Sequence, residues 1–296
     1  MSTQITTAFV QQYSANVQML AQQNGSKLRA CVREEPVVGK QGFFDQVGAT
    51  AARRRTSRHS DTPRMDTPHA RRRVALEDFD WGDLIDNEDK VRTLIDPAST
   101  YAMNAAKAMG RAQDEVLITA ALGTAFTGET GSTSVAFPSG QLIANGGANL
   151  TLAKLLSAKY LMDTVDVDPD GRYIAVTSNQ IKDLLNVTEI KSRDYNDVKA
   201  LVQGQVNTFL GFTFVKLDGL RVDGTRILPT TVPGGTIRQC VAWQKDNLLI
   251  GIGNDKVARI TERADKNYAT QVFYSMSIGA TRMQEVAVVE IDCQET

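Results

Sequence analysis

Histidine is almost missing from this sequence of 296 residues: only His59 and His69 occur. Both fall in an arginine-rich stretch without an apolar scaffold, whereas a proton-shuttling centre needs its groups held to within about 0.5 Å. The sequence therefore offers no histidine-based acid–base site. Cysteine is nearly as scarce. Cys31, Cys240 and Cys293 are odd in number, far apart in sequence and in no metal-ligand spacing. They read as reduced, mostly buried thiols with neither a disulfide nor a metal role. No apolar run reaches the roughly 18 residues of a membrane span, and residues 1–10 lack a basic region followed by an apolar one. The expectation is a soluble, non-secreted chain with no membrane partner.

Phosphate-cradling glycines are missing too. Gly146-Gly147 and Gly251 to Gly253 match neither the loop ending in Gly-Lys-Ser/Thr nor the dinucleotide fingerprint, and they read as turns and close backbone approaches. Asp78 with Asp80, and Asp163 with Asp166 and Asp168, do not reproduce calcium-loop spacing and read as solvated acidic turns. No cofactor and no metal is expected, and an enzyme reading is left without a site.

What the sequence does have is a charge inversion. Its formal net charge is only -1, yet Arg53, Arg54, Arg55, Arg58, Arg64, Arg71, Arg72 and Arg73 crowd into residues 53–73 against Asp61 and Asp66 alone. Residues 77–96 reverse the sign, with Asp83, Asp86, Glu88 and Asp89 at their centre and only Lys90 and Arg92 opposing. Surface ion pairs within one molecule contribute about 0–1 kcal/mol each, so segregation gains a single domain little. Between molecules it sets orientation and suppresses wrong partners. We read the eight arginines as the basic side, and the four acids as the acidic side, of a contact between copies. Nucleic acid is the rival partner for the arginines, but no aromatic residue lies between Val47 and Ala75 to stack on bases, and the adjacent acids repel phosphate.

The elements follow an order. Phe9, Tyr13, Val17 and Leu20 are spaced as one helix face within residues 1–34, and residues 36–74 lack apolar periodicity after a strand at 43–47, which predicts a projecting loop. Asp96 and Pro97 fit a helix cap and first turn for a run from Ala98 to Leu122, with Tyr101, Ala105, Met109, Ala112 and Val116 on one face and Gly123 as the stop. Such a helix is on the order of 40 Å long. A Gly-, Ser- and Thr-rich link at 127–147 follows, then helices at 150–163, 180–186 and 196–203, and strands at 173–177 and 212–217. Val272, Tyr274, Met276 and Ile278, and later Val289, Ile291 and Cys293, alternate with polar neighbours as half-buried strands do.

Taken together, three stretches resemble the major capsid protein of tailed bacteriophages, whose fold is shared with encapsulins and the herpesvirus capsid floor. They are Arg71 to Val74 with Asp86 to Arg92, Asp96-Pro97, Gly110-Arg111 and Asp114-Glu115; Phe209 to Val215; and Gly279 to Arg282 with Val286 to Ile291. The resemblance implies an α+β fold with an N-terminal arm at 1–34, an extended loop at 35–76, and a peripheral domain at 77–149 and 236–296 carrying the long spine helix at 97–122. An axial domain would occupy 150–235. It implies a non-enzymatic shell protein that forms pentamers and hexamers of an icosahedral head around double-stranded DNA, with scaffold, portal and cement proteins as further partners. The virion is its implied location, after assembly in the host bacterial cytoplasm. An encapsulin-like compartment around protein cargo is the alternative. Family members that cross-link use a loop lysine, and here Lys40, near the loop base, is the only lysine between Lys27 and Lys90. Arginine stays protonated and is no substitute nucleophile. DNA contacts are expected from inward-facing basic residues near Lys154 and Lys159.

Overall fold

The computed structural model describes residues 22–59, 61–62, 64–85, 98–186, 208–221 and 224–295. The helix expected around Phe9 to Leu20, the caps Asp96 and Pro97, and the helix expected at 196–203 lie outside the described residues.

Fourteen strands in the described residues form three sheets around a long helix. The first sheet has the order β1 (Arg33–Pro36), β12 (Leu248–Arg263), β13 (Ala269–Arg282), β4 (Glu77–Ile85). The second has the order β7 (Leu142–Ile143), β14 (Val288–Gln294), β11 (Ile237–Gln244), β8 (Arg172–Val176), β10 (Phe212–Lys216), β9 (Thr208–Phe209). The third joins β2 (Gln41–Val47), β3 (His69–Ala75), β5 (Ala125–Thr127) and β6 (Thr133–Val135). The helices are α1 (Ala98–Leu122), α2 (Leu152–Asp163) and α3 (Ser178–Asn186).

The spine helix α1 serves two cores because its apolar stripe is long enough to leave one sheet and reach another. Met109, Ala112 and Val116 pack on Phe79, Trp81, Met276 and Ile278 of the first sheet. One turn on, Leu117, Ile118 and Ala121 join Val241, Trp243 and Val288 of the second. Gly110 is where the 22–28 segment crosses the helix: a methyl group there would lie 2.5 Å from the Ser26 nitrogen. The close crossing accounts for a residue that costs about 1 kcal/mol in helix propensity relative to alanine.

The second sheet is buried on both faces. Ile174, Val176, Cys240, Ala242, Val289 and Ile291 face α2 and α3, while Ala175, Val241, Trp243 and Val288 face α1. The alternation in β14 therefore does not mark a wet face: Glu290 and Asp292 are each 8% exposed. The side chain of Gln239 donates to Glu290, and Lys154 Nζ donates to the Asp292 carbonyl at 2.7 Å. Lys154 also reaches the Ala148 carbonyl at 2.7 Å, and burial pushes its pKa down. The expectation that Lys154 faces DNA is thereby corrected, since its ammonium is used to close the loop ahead of α2.

Two further expectations change. Gly251 and Gly253 lie inside the sixteen-residue β12, not in a turn. A Cβ at Gly251 would approach Val37 and Val74 within 2.9 Å, so the close-approach half of the reading holds. The 127–147 link contains β6 and β7, two short strands that edge other sheets. Within the stretch 236–296, β11 pairs with β8 from Val241↔Ala175 to Gln244↔Arg172. Hydrogen-bonded side by side, β11 and β14 belong to the sheet of β8 and β10.

Candidate subunit interface

The extended loop is a hairpin whose base is tied to its own subunit. β2 and β3 pair from Gln41↔Ala75 to Val47↔His69, and the Gly48 N–H donates to the Pro68 carbonyl at 2.8 Å. Beyond that point none of the described residues in 49–67 belongs to a strand or helix. At about 3.3 Å per residue, an arm of that length reaches on the order of 30 Å from its base.

The eight arginines divide at this point. Arg53, Arg54, Arg55, Arg58 and Arg64 are exposed on the tip, where Arg55 Nε donates to the Ser57 carbonyl at 2.8 Å. Arg71 to Arg73 hold the base. Arg71 Nε meets Asp45 Oδ1 at 2.6 Å, and this pair holds the Asp45 carboxyl below its ordinary range. Arg72 is 7% exposed, and its guanidinium reaches Glu285 Oε2 at 2.6 Å and the Met283 carbonyl at 3.0 Å. Arg73 lies 4.4 Å over the Phe126 ring. Arg72 thus differs from the tip arginines within its own copy: the strand alternation that leaves Arg71 partly exposed turns Arg72 into the body. On the acidic side, half-buried Asp83 sits in β4 and accepts from the Leu84 N–H at 2.9 Å. Asp86, Glu88 and Asp89 lie outside the described residues. β4 adds Glu77, Asp78 and Asp80, all exposed, to the acidic side.

Three polar anchors set how the arm and sheets meet, and periodicity alone points to none of them. Asp114 of α1 is fully buried and accepts from Ser26 Oγ at 2.6 Å, from the Leu28 N–H at 3.1 Å, from the Lys27 N–H and from the Gln23 side chain. Burial raises its pKa, opposed by those donors. Arg282, also fully buried, donates to the Ala121 carbonyl at 2.8 Å and the Gly123 carbonyl at 2.5 Å, filling acceptors that the last turn of α1 leaves open. Its cation stands where the helix dipole is negative.

Glu295 is the third. It takes hydrogen bonds from Arg238 Nη2 at 2.8 Å, Gln180 Nε2 at 3.0 Å and Thr177 Oγ1 at 3.2 Å. Its pKa is lowered to about 2 from 4.5 by these donors and the Arg238 charge, against the opposing pull of burial. A carboxylate whose folded pKa is depressed stabilises the fold above its ordinary pKa, and that contribution is lost as pH falls from about 4.5 towards 2. Urea unfolding of unassembled subunits should show wild type more stable than Glu295→Gln by about 2 kcal/mol at pH 6, the gap narrowing by pH 3. A gap independent of pH would refute the assignment. Glu290 and Asp292, raised by burial, act in the opposite direction, so the comparison rests on the difference between the two proteins.

Among the described residues no cluster of three or more His, Cys, Asp or Glu side chains is placed to hold a metal ion. Cys240 and Cys293, distant in sequence, lie buried on the paired strands β11 and β14, both free thiols. His59 and His69 are exposed.

A family described as phage capsid protein matches residues 5–295. The chain belongs to this family. Among curated proteins no match is found. The capsid structure of cyanophage P-SCSP1u is similar with a TM-score of 0.72 and 18% identity, covering 100% of this chain and 96% of that one. The capsid of Ralstonia phage GP4 has a TM-score of 0.71 at 11% identity, covering 97% and 95%. The cyanophage Pam1 capsid subunit has a TM-score of 0.69 at 14% identity, covering 98% and 97%. The α+β fold is thus the phage capsid fold, kept across whole chains at low identity. As a phage capsid protein, the chain has a shell-forming role to which the arm can be related.

Proposed function

We propose that copies of this protein assemble as pentamers and hexamers into the icosahedral head of a bacteriophage enclosing double-stranded DNA. The observation that carries this is a capsid-family match over nearly the whole chain, joined to an arm whose tip arginines are exposed and belong to no strand or helix. An encapsulin-like compartment is not favoured, the similar structures being phage capsids. In our reading the arm at 1–34, the loop at 35–76, and the peripheral and axial units act as separate parts, with β11 and β14 counted with the axial sheet. The tip arginines, Arg53, Arg54, Arg55, Arg58 and Arg64, meet Asp83, Asp86, Glu88 and Asp89 of an adjacent copy. Arg71 to Arg73 set the angle at which the arm leaves. The role is structural, and assembly takes place in the host cytoplasm with scaffold, portal and cement proteins as partners.

Electron microscopy of the expressed chain, with any scaffold partner supplied, tests the proposal. Closed particles of megadalton mass are expected, and particles made during infection should carry nuclease-protected DNA. A monomer or dimer that persists at high concentration would overturn it. DNA contacts should be sparse at Arg53 to Arg64 if those charges are already matched, and should come from other inward-facing cations. Lys159 is a weak candidate, since it already lies 3.7 Å from Asp163.

A further inference from the structure

The first sheet has two open edges among the described residues. On one side β1 covers β12 only from Leu249 to Ile252, and the strand then runs on from Asn254 to Arg263 with β13 as its one partner. Residues 258–263 are all exposed. On the other side β4 pairs with β13 along Glu77 to Ile85 and carries nothing on its outer edge. A long unpaired edge presents a row of N–H and C=O groups to any strand that approaches, and folded proteins normally cover or blunt such rows.

The two edges differ in charge. β4 carries Glu77, Asp78, Asp80 and Asp83 and no cation. The free part of β12 carries Lys256, Arg259 and Arg263 against Asp255 and Glu262. Asp255 is engaged by Arg29 at 3.1 Å and Arg263 by Asp265 at 2.7 Å. Arg259, Glu77 and Asp80 make no ion pair among the described residues. The cross-strand register joins Arg259 to Phe273 and Gly82, and Val257 to Ser275 and Asp80. By strand alternation Arg259 and Asp80 therefore project from the same face of the sheet.

We propose that the outer edge of β4 in one copy pairs with residues 254–263 of β12 in a second copy, continuing the sheet from subunit to subunit with Arg259 beside Asp80. Both strands run antiparallel to β13, hence in the same direction, so a contact that repeats the sheet pairs them in parallel. Backbone hydrogen bonds supply the attraction and the charges fix the register. Every copy has one edge of each kind, so the contact is heterologous, and it forms rings where the rotation between copies closes. It also covers Ile260 and Leu84, which are 53% and 44% exposed in the single chain. The inference rests on the shell reading above; it uses the backbone edge of β4, the strand that also carries Asp83 of the arginine-tip contact, and adds β12, which that contact does not involve.

Hydrogen exchange on intact particles and on unassembled subunits, with disulfide trapping of an Asp80→Cys/Arg259→Cys double variant, tests it. Amides of 254–263 should exchange at least tenfold more slowly in particles, and the oxidised double variant should give a ladder of multimers absent from either single variant and from wild type. Asp80→Arg should lower particle yield, and combination with Arg259→Asp should restore it. Particles that form while these amides exchange at the subunit rate and no ladder appears would overturn the contact and leave the shell reading standing. If no particles form under any condition, the shell reading fails and this contact with it.

Discussion

Arg282→Met is expected to unfold at a markedly lower urea concentration than wild type, by about 2–4 kcal/mol, in subunits held unassembled. The substitution keeps a long apolar stem but removes the donor to Ala121 and Gly123, leaving buried carbonyls at the end of α1 without a partner. Each such orphan costs about 1–3 kcal/mol. Arg282→Lys should recover part of the loss, since an ammonium can reach one acceptor but lacks the fork that spans two. A midpoint within error of wild type would mean that the helix end is satisfied in some other way. The effect should reach assembly as well, because the same turn of α1 packs against Trp243 in the second sheet.

The second large effect is on assembly alone. Arg53→Glu, Arg54→Glu and Arg58→Glu together should leave the subunit fold unchanged by circular dichroism, since these side chains are exposed and belong to no strand. Particles should be lost. Single exposed pairs are weak, but the contact recurs at every subunit, and like charges face to face cost several kcal/mol per interface. Changing Asp83, Asp86 and Asp89 to lysine should restore particles in the combined variant and not alone. Normal assembly of the triple arginine variant would show that the two charge blocks do not meet. Arg72→Glu is a contrasting control: it sets a carboxylate against Glu285 in a buried position and should destabilise the subunit itself.

The parts of this fold that the sequence makes legible are those governed by period and punctuation. The 98–122 helix shows as a stripe of Ala and Met ended by Gly123, β8 as a short buried strand and β13 as a strand with apolar alternation. Tertiary burial defeats the same logic in β14, where both faces are covered, Gln239 donates to Glu290, and the Lys154 ammonium, bonded to the Asp292 backbone carbonyl, lies beside the Asp292 charge. β12 is hidden by its own glycines, which look like turns until Val37 and Val74 are seen lying against one of them. For the interface, sequence shows where charge is segregated but not which arginines are free. That depends on strand phase at Arg71 to Arg73, and on Glu285, more than two hundred residues away. Gly110 and Asp114, four apart on one helix face, are the one local signal that a segment crosses the spine there.

The place of β14 has a consequence for how the protein is made. It lies between β7 and β11 in the second sheet, yet it follows β12 and β13 in the chain. While translation is still short of Val288, β11 has an apolar flank with nothing alongside, and Arg238 waits for Glu295. The core shared by α2 and α3 therefore closes only once Val288–Gln294 has joined the sheet. A chain that lacks this strand cannot present a finished body to its neighbours, so joining of copies is expected to wait on β14.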